Sequence, residues 1–372
     1  MDDNMTIGYD AKRAFRNNSG LGNYSRMVIG GVAMHGTECV LYTPGVKGRH
    51  EQYFDGMEKV LVCVPKGLWR LLPDVWRSVW SGVRAKGDGV EVFHGLSHEL
   101  PYGLGSDVKK VVTMHDLIVR RYPEFFKPAD RVIHRLKMSH ACRVADVVVA
   151  ISEQTKHDLV EKMGVPEGKI KVVYQSCDPI FWKEEIRIKK EEIIKKYKLP
   201  EKYIICVGTL EERKNQLKVI EAMEQLPKEV GLVIVGRPRG EYGKRVQSFA
   251  SGRVMLLTNA EFSDFPALYA GAVASVYLSV FEGFGIPVLE SMCCDCPVVT
   301  SNVSSMPEAG GEAALYASPD DAAMVATHLN HLLEDEDFRQ QTIEKGRTQR
   351  MKFTPEKVTA DMIAVYKSLL DD

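Results

Sequence analysis

Short, nearly continuous runs of valine and isoleucine, separated by longer stretches of helical periodicity, constrain this chain more than any other feature. The first half contains TIGYD, VEVFHG, VVTMHD, VVVAIS and KVVYQS; the second contains YIICVGTL, GLVIVG, RVMLL, ASVYLS and PVVTSN. A strand-length run that is apolar at consecutive positions has both faces buried, as in a parallel strand covered by helices on either side. Each half therefore predicts its own doubly wound α/β unit. The length, 372 residues, also exceeds one typical core and suits two domains.

The runs stop after VVYQSCD and resume at Tyr203, and the intervening CDPIFWKEEIRIKKEEIIKKYKLPEKY is rich in charge. The boundary is expected at 182/183, with domains over 1–182 and 183–353. Glu184–Lys198 predicts a short solvated helix opening the second domain. The last segment, TPEKVTADMIAVYKSLL, predicts an amphipathic helix within 354–372, with Thr354 as N-cap and Pro355 in the first turn.

Composition excludes several classes. Hydrophobic residues are 45% and charged residues 27%, with a net charge of −1, so no global field draws the chain to nucleic acid. No apolar run approaches the roughly 18–20 residues that span a bilayer. The start, MDDNMTIGYD, has no basic and apolar leader pattern. The eight cysteines are scattered and read as reduced thiols of a cytosolic protein.

Ligands of doubly wound sheets bind beyond the carboxyl ends of the strands. After TIGYD come Gly20 and Gly22, opening a helical pattern; such glycines let backbone amides approach an anion, or simply make the turn. VVTMHD ends at His115 and Asp116. A neutral imidazole there donates to a substrate or serves the core. YIICVGTL leads to Arg213 and Lys214. Cations beside helix amides suit a diphosphate, and the helix dipole gives no structural reason for them there.

ASVYLS leads into FEGFGIPVLESMCC. Glycines at 283 and 285 make a bend and Pro287 suits a first helical turn. Amides around Ile286–Leu289 are expected to face a ligand, with Glu282 before the bend and Glu290 one turn into the helix. Carboxylates accept pairs of hydroxyls well, as on a sugar. Cys293, Cys294 and Cys296 lack a histidine or fourth cysteine at zinc spacing and read as small buried residues. Asp335 and Asp337 form a D-x-D without a strand-end setting, so no metal site is expected there.

The E-x7-E pattern with the body EGFGIPVLE resembles the retaining glycosyltransferases of the GT-B fold, in particular family four. VGTLEERKNQ resembles that family's diphosphate loop, and HDLIVRRYPEFF, VVAISEQTKHDL and TSNVSSMPEAGGEAALYASPDD resemble further family segments in the same order. The resemblance spans nearly the whole chain. It implies an α/β fold of two Rossmann-like doubly wound domains facing across a cleft, the first holding the acceptor and the second a nucleotide-sugar donor. It also implies a C-terminal helix that crosses back to the first domain. By motif, His115, Lys214 and Glu282 are the implied catalytic group, with Glu282 holding hydroxyls of the transferred sugar and Lys214 neutralising the leaving diphosphate. Arg213, Gly285, Ile286, Pro287, Val288 and Glu290 are the implied donor contacts, Glu290 at the ribose. Gly20 and Gly22 match the loop near acceptor and phosphate. One departure is Thr209, where many relatives carry arginine.

The implied reaction is transfer of a hexose with retention, without a metal or other cofactor, to a glycan or lipid-linked acceptor in surface polysaccharide or lipopolysaccharide assembly. The diphosphate-loop style tilts the donor towards GDP-mannose, with base contacts near Arg237 and Phe262. A UDP-sugar donor, an epimerase on the same fold and a non-catalytic sugar-nucleotide-binding protein remain as alternatives. In GLWRLLPDVWRSVWSGVRAKG, Trp69, Leu72, Trp76, Val79, Trp80 and Val83 recur at near-helical spacing among Arg70, Arg77, Arg84 and Lys86. The segment reads as a helix covering the first sheet or as a peripheral contact with anionic membrane, to which RVIHRLKMSHACR could add. The expected location is the cytoplasm, at the inner membrane face where that contact forms.

Overall fold

A computed structural model describes residues 5–46, 48, 50–187 and 189–371. The chain divides into two compact units, Met1–Ser176 with Pro355–Asp372, and Cys177–Thr354.

The first unit is built on seven strands: β1 (Thr6–Asp10), β2 (Glu38–Tyr42), β3 (Val60–Cys63), β4 (Val92–Gly95), β5 (Lys109–Met114), β6 (Val147–Ala150) and β7 (Ile170–Val172). Their order is β3-β2-β1-β4-β5-β6-β7 and every pairing is parallel. Alternate residues of one strand enter different cores. Val147 and Val149 of β6 join one apolar cluster, and Val148 and Ala150 join the other. This two-sided burial removes the polar alternation from such strands. The first cluster takes in Val28, Ile29 and Val32 of the helix Gly20–Met34 and Val358, Met362 and Tyr366 of the helix Pro355–Leu370. A β-carbon on Gly31 would fall inside contact distance of Thr359 Oγ1, so glycine lets these two helices approach.

The second unit has six strands: β8 (Lys202–Val207), β9 (Val230–Val235), β10 (Val254–Leu257), β11 (Ala274–Tyr277), β12 (Val298–Ser301) and β13 (Leu315–Ala317). They are ordered β10-β9-β8-β11-β12-β13, again with parallel pairings. In each sheet the winding reverses once, between β1 and β4 and between β8 and β11. Such a reversal opens a crevice at the carboxyl ends of the two strands.

All ten apolar runs named above contain strands. The units divide before the expected 182/183 boundary, because Phe181 is fully buried against the rings of Phe262 and Tyr269, 5.8 and 6.1 Å away. Glu184–Lys198 is two short helices, Glu184–Arg187 and Lys190–Tyr197, with Lys198 in the left-handed conformation as the closing cap; Ile188 lies outside the described residues.

The tryptophan-rich segment also departs from a single helix. A 3-10 turn (Gly67–Leu71) ends at Leu72, Pro73 starts a new turn, Trp76–Trp80 is a π-turn, and Ser81–Gly87 is α-helical. Trp76 is buried. Arg77 is buried too, between Asp10 (2.5 Å) and Glu99 (2.7 Å), so neither belongs to the expected surface.

Candidate functional site

The second unit's reversal point gathers the chemistry. Beyond β8, Gly208 has φ +149°, and a β-carbon on Gly236 would fall inside contact distance of the Gly208 carbonyl, so two backbones meet here through glycine. The loop closes with a 3-10 turn, Glu212–Lys214, and Asn215 at φ +58° precedes the helix Gln216–Met223. Arg213 and Lys214 thus stand before the helix rather than in its first turn. Thr209 contributes its carbonyl, which accepts from Gln216 Nε2 at 3.0 Å.

Beyond β11 the chain passes Ser279 and Glu282 to Gly285, at φ +111°, the cap of the helix Ile286–Cys293. A β-carbon at 285 would stand 2.8 Å from Met306 Cε. The expected row of amides is shorter than the sequence suggests. Pro287 has no N–H, and the Val288 N–H donates to the Gly285 carbonyl at 2.9 Å. Ser304 and Ser305 hydroxyls donate to the Glu282 carbonyl at 2.6 and 2.9 Å and pin the bend.

Both loops converge on one atom, Glu282 Oε1. It accepts from Arg213 Nη1, from Lys214 Nζ at 2.5 Å, from Ser279 Oγ at 2.7 Å and from Tyr277 OH at 2.8 Å. None of these four donors lands on Oε2. Lys214 Nζ also contacts the Tyr277 hydroxyl and lies 4.8 Å from that ring's centre. Arg213 continues to the Phe281 carbonyl (2.9 Å) and to Glu211 (2.8 Å), which Arg239 meets from outside at 3.2 Å. Burial alone would raise the Glu282 carboxyl, but Lys214 and Arg213 hold it well below the ordinary carboxylate range. Burial pushes Lys214 below the usual lysine value, against the pull of Glu282. The result is a desolvated group of two cations and one carboxylate at a strand-end crevice.

Glu290 behaves in the opposite way. It is buried, and its Oε2 accepts from Tyr269 OH at 3.2 Å. Burial, with Asp178 adding to it, pushes its carboxyl up to about 7. Two glutamates of one motif therefore differ in charge near neutrality.

In the first unit, His115 lies just past β5 and is buried. Its Nε2 is 2.9 Å from the Leu96 carbonyl. A carbonyl only accepts, so Nε2 carries the proton and Nδ1 is the acceptor. Its N–H is thus engaged by the backbone. Burial, then His98, lowers its pKa to about 3 and keeps the ring neutral. Gly20 and Gly22 separate as well. A β-carbon on Gly20 meets nothing within 4 Å, whereas one on Gly22 would strike the Asn17 carbonyl. Gly22 is needed for the turn into the helix, which Arg26 secures by donating to Ala14 and Asn17 carbonyls at 2.7 and 3.1 Å.

All eight cysteines are buried thiols. Asp335 caps the helix Glu336–Arg350 by accepting from the Phe338 N–H at 2.8 Å. Among the described residues, no group of three or more His, Cys, Asp or Glu is arranged to hold a metal ion. Tyr277, Ser279, Glu211 and Arg239 were not picked out from the sequence. Tyr277 and Ser279 flank the carboxyl end of a recognised strand, two residues apart, and that position is the signal that could have found them.

Comparison with known proteins identifies the family. Residues 189–349 match the family described as glycosyl transferases group 1, and residues 18–180 match glycosyltransferase family 4. O-antigen chain mannosyltransferase B of Escherichia coli is 31% identical over 293 residues, covering 75% of this chain and 74% of that one. O-antigen chain mannosyltransferase RfbU of Salmonella typhimurium is 28% identical over 287 residues, covering 73% and 76%. The crystal structure of a glycosyltransferase from Rickettsia africae superimposes with a TM-score of 0.77 at 17% identity over the whole of both chains. With a GT-B architecture and relatives matched over three quarters of its length, the chain belongs to the group 1 and family 4 glycosyltransferases.

Proposed function

We propose that this protein transfers a hexose, with mannose from GDP-mannose as the first choice, to a hydroxyl of a glycan or lipid-linked acceptor in surface polysaccharide assembly. The observation that carries the reading is the convergence of Arg213, Lys214, Tyr277 and Ser279 on Glu282 Oε1. The mannosyltransferase names of the two curated relatives support the choice of sugar.

Breaking the anomeric C–O bond builds negative charge on the departing diphosphate. Cations already fixed and desolvated stabilise that charge without reorganising during the reaction. Lys214, backed by Arg213, takes this role. Arg213 makes up for the arginine that many relatives carry in place of Thr209. Glu282 Oε2 receives hydroxyls of the transferred sugar, and Glu290, once ionised, receives those of the ribose. The acceptor nitrogen of neutral His115 takes a hydroxyl proton in a hydrogen bond. Attack from the face the diphosphate leaves gives retention, with a departing phosphate oxygen taking the acceptor's proton. The reading calls on no metal.

A membrane contact belongs to the same proposal. No helix among the described residues is long and apolar enough to cross a bilayer. Yet Leu68, Leu71 and Leu72 are 85%, 77% and 56% exposed, beside the stacked rings of Trp69 and Trp80. Such a surface suits shallow burial at the cytoplasmic leaflet, where a lipid-linked acceptor is presented.

Thermal melting with GDP-mannose, UDP-glucose and ADP-glucose tests the donor. A donor at about 100 times its Kd stabilises the folded state by about 2.7 kcal/mol. A shift with GDP-mannose alone is expected. A shift only with a UDP or ADP sugar overturns the GDP assignment, and no shift with any of them overturns the transferase reading.

A further inference from the structure

A groove of the first unit carries charge that no described contact neutralises. Val119, Arg120, Pro123, Arg131, Arg135 and Lys162 line an opening of about 320 Å³. Lys162 is paired with Glu161 at 2.9 Å. For the three arginines, by contrast, no carboxylate lies within 4 Å among the described ion pairs. Glu124 and Asp130, on the same stretch, are exposed and pair with none of them. Arg120 donates to the Lys162 carbonyl at 3.2 Å and to Ser139 Oγ at 3.1 Å, but its buried Nε–H has no partner. Arg131 Nε donates to the Phe126 carbonyl at 2.9 Å, which fixes its stem.

Like charges held together without acids are unfavourable unless an anion joins them. Burial and Arg135 both depress the Arg120 pKa, in line with that strain. A buried donor without an acceptor adds to the cost. Guanidinium groups match phosphate oxygens in pairs. The chain's net charge of −1 offers no general attraction for anions, so any attraction here is local.

The surroundings indicate where the phosphate comes from. Val132, Ile133 and Leu136, on the same helix as Arg131 and Arg135, are 58%, 51% and 65% exposed. That helix adjoins the tryptophan-rich segment: Lys137 shares Glu99 with Arg77, and His140 lies 4.1 Å from the Tyr102 ring, around a small cavity lined also by Ser78. The cations therefore share their helix with exposed apolar side chains. We propose that the Arg120–Arg131–Arg135 groove binds the phosphate of an anionic membrane lipid headgroup. This extends the membrane contact above and uses none of the residues assigned to the transfer reaction.

Co-sedimentation of the full chain with phosphatidylcholine vesicles, with and without phosphatidylglycerol, is the test. Each cation at an anionic surface changes partitioning by about fivefold, so R131Q/R135Q is expected to weaken binding to the anionic vesicles by about thirtyfold. Arg135 is exposed, so R135E alone keeps the fold and is expected to give a similar loss. Donor-induced melting shifts should be unchanged in both variants, which separates failure here from failure of the transferase reading. Equal partitioning of wild type and variants, or equal binding to neutral vesicles, overturns the proposal. So does tight binding of free inorganic pyrophosphate without vesicle binding, which would mark a soluble phosphate ligand.

Discussion

Replacing Lys214 by methionine separates catalysis from stability with unusual cleanness. The side chain is 13% exposed, and its ammonium lies 2.5 Å from Glu282 Oε1. Methionine keeps most of the aliphatic stem and removes only the charge and its hydrogen bonds. Glu282 retains Arg213, Tyr277 and Ser279 as donors, so its carboxylate is not left alone. The loss of one charged hydrogen bond costs about 1.5–3 kcal/mol of stability, and each kcal/mol lowers the melting point by about 2–4 °C in a unit of this size. Transfer should suffer more. Removing a fixed group that meets charge growing in the transition state costs about 10²–10³ in kcat. Initial rates of donor consumption, beside thermal melts, read both effects. Lys218→Met is the control, since Lys218 pairs with Glu221 at 2.9 Å on the helix surface and should leave the rate unchanged. A Lys214→Met enzyme with kcat within about threefold of wild type would refute the assignment, because no electrostatic role of the size just given is compatible with it.

Two further outcomes follow from the geometry. Glu290 has a folded pKa raised to about 7, so its contribution to stability is complete below the ordinary glutamate range and is lost as pH rises through about 7. Glu290→Gln should therefore remove this loss and be more stable than wild type at pH 8, by up to about 3 kcal/mol, while weakening nucleoside-diphosphate binding; urea denaturation across pH 5–8.5 and calorimetry check the two parts. Gly22→Ala should destabilise by about 1–3 kcal/mol, because the added carbon meets the Asn17 carbonyl. Gly20→Ala meets open space and should be neutral or stabilising by up to about 1 kcal/mol, as equilibrium unfolding would show.

The architecture was legible where burial on both faces left consecutive apolar residues. Three strands lacked that mark or were too modest to stand out. β3 leaves Leu61 58% and Val62 37% exposed at the sheet edge, so burial imposed no pattern on it. β13 is three residues long, and β2 opens with an exposed Glu38. In the tryptophan-rich segment the helical spacing was read as one phase. The break at Leu72 and the π-turn at Trp76–Trp80 reset that phase, which carried Trp76 into the core and left Leu68 and Leu71 outside.

At the site, charged residues in a spaced motif announced themselves, but their mutual geometry did not. Tyr277 and Ser279 read as ordinary strand-end residues until the fold set both hydroxyls on Glu282. His115 read equally as a donor to a substrate or as a core residue, because its partner, the Leu96 carbonyl, is a backbone group that no motif records. Glu282 and Glu290 look equivalent in the sequence. Their different ionisation comes from surroundings that other elements supply: two cations hold the first carboxyl down, while burial pushes the second up against the hydrogen bond from Tyr269.

The helix Pro355–Leu370 also bears on how the chain comes to be folded. The unit Cys177–Thr354 is continuous, so it can close while the chain is still being made. The other unit cannot. Val358, Met362 and Tyr366 fill its core, and Tyr366 OH meets Tyr9 OH at 3.2 Å and His94 Nδ1 at 2.6 Å. Strand β1 thus waits for a helix that follows the whole of the second unit. Until then its apolar face stays open through the synthesis of an entire second unit. The discontinuous unit is therefore begun before the continuous one and completed after it, and of the two it is the one more in need of protection from premature association during synthesis.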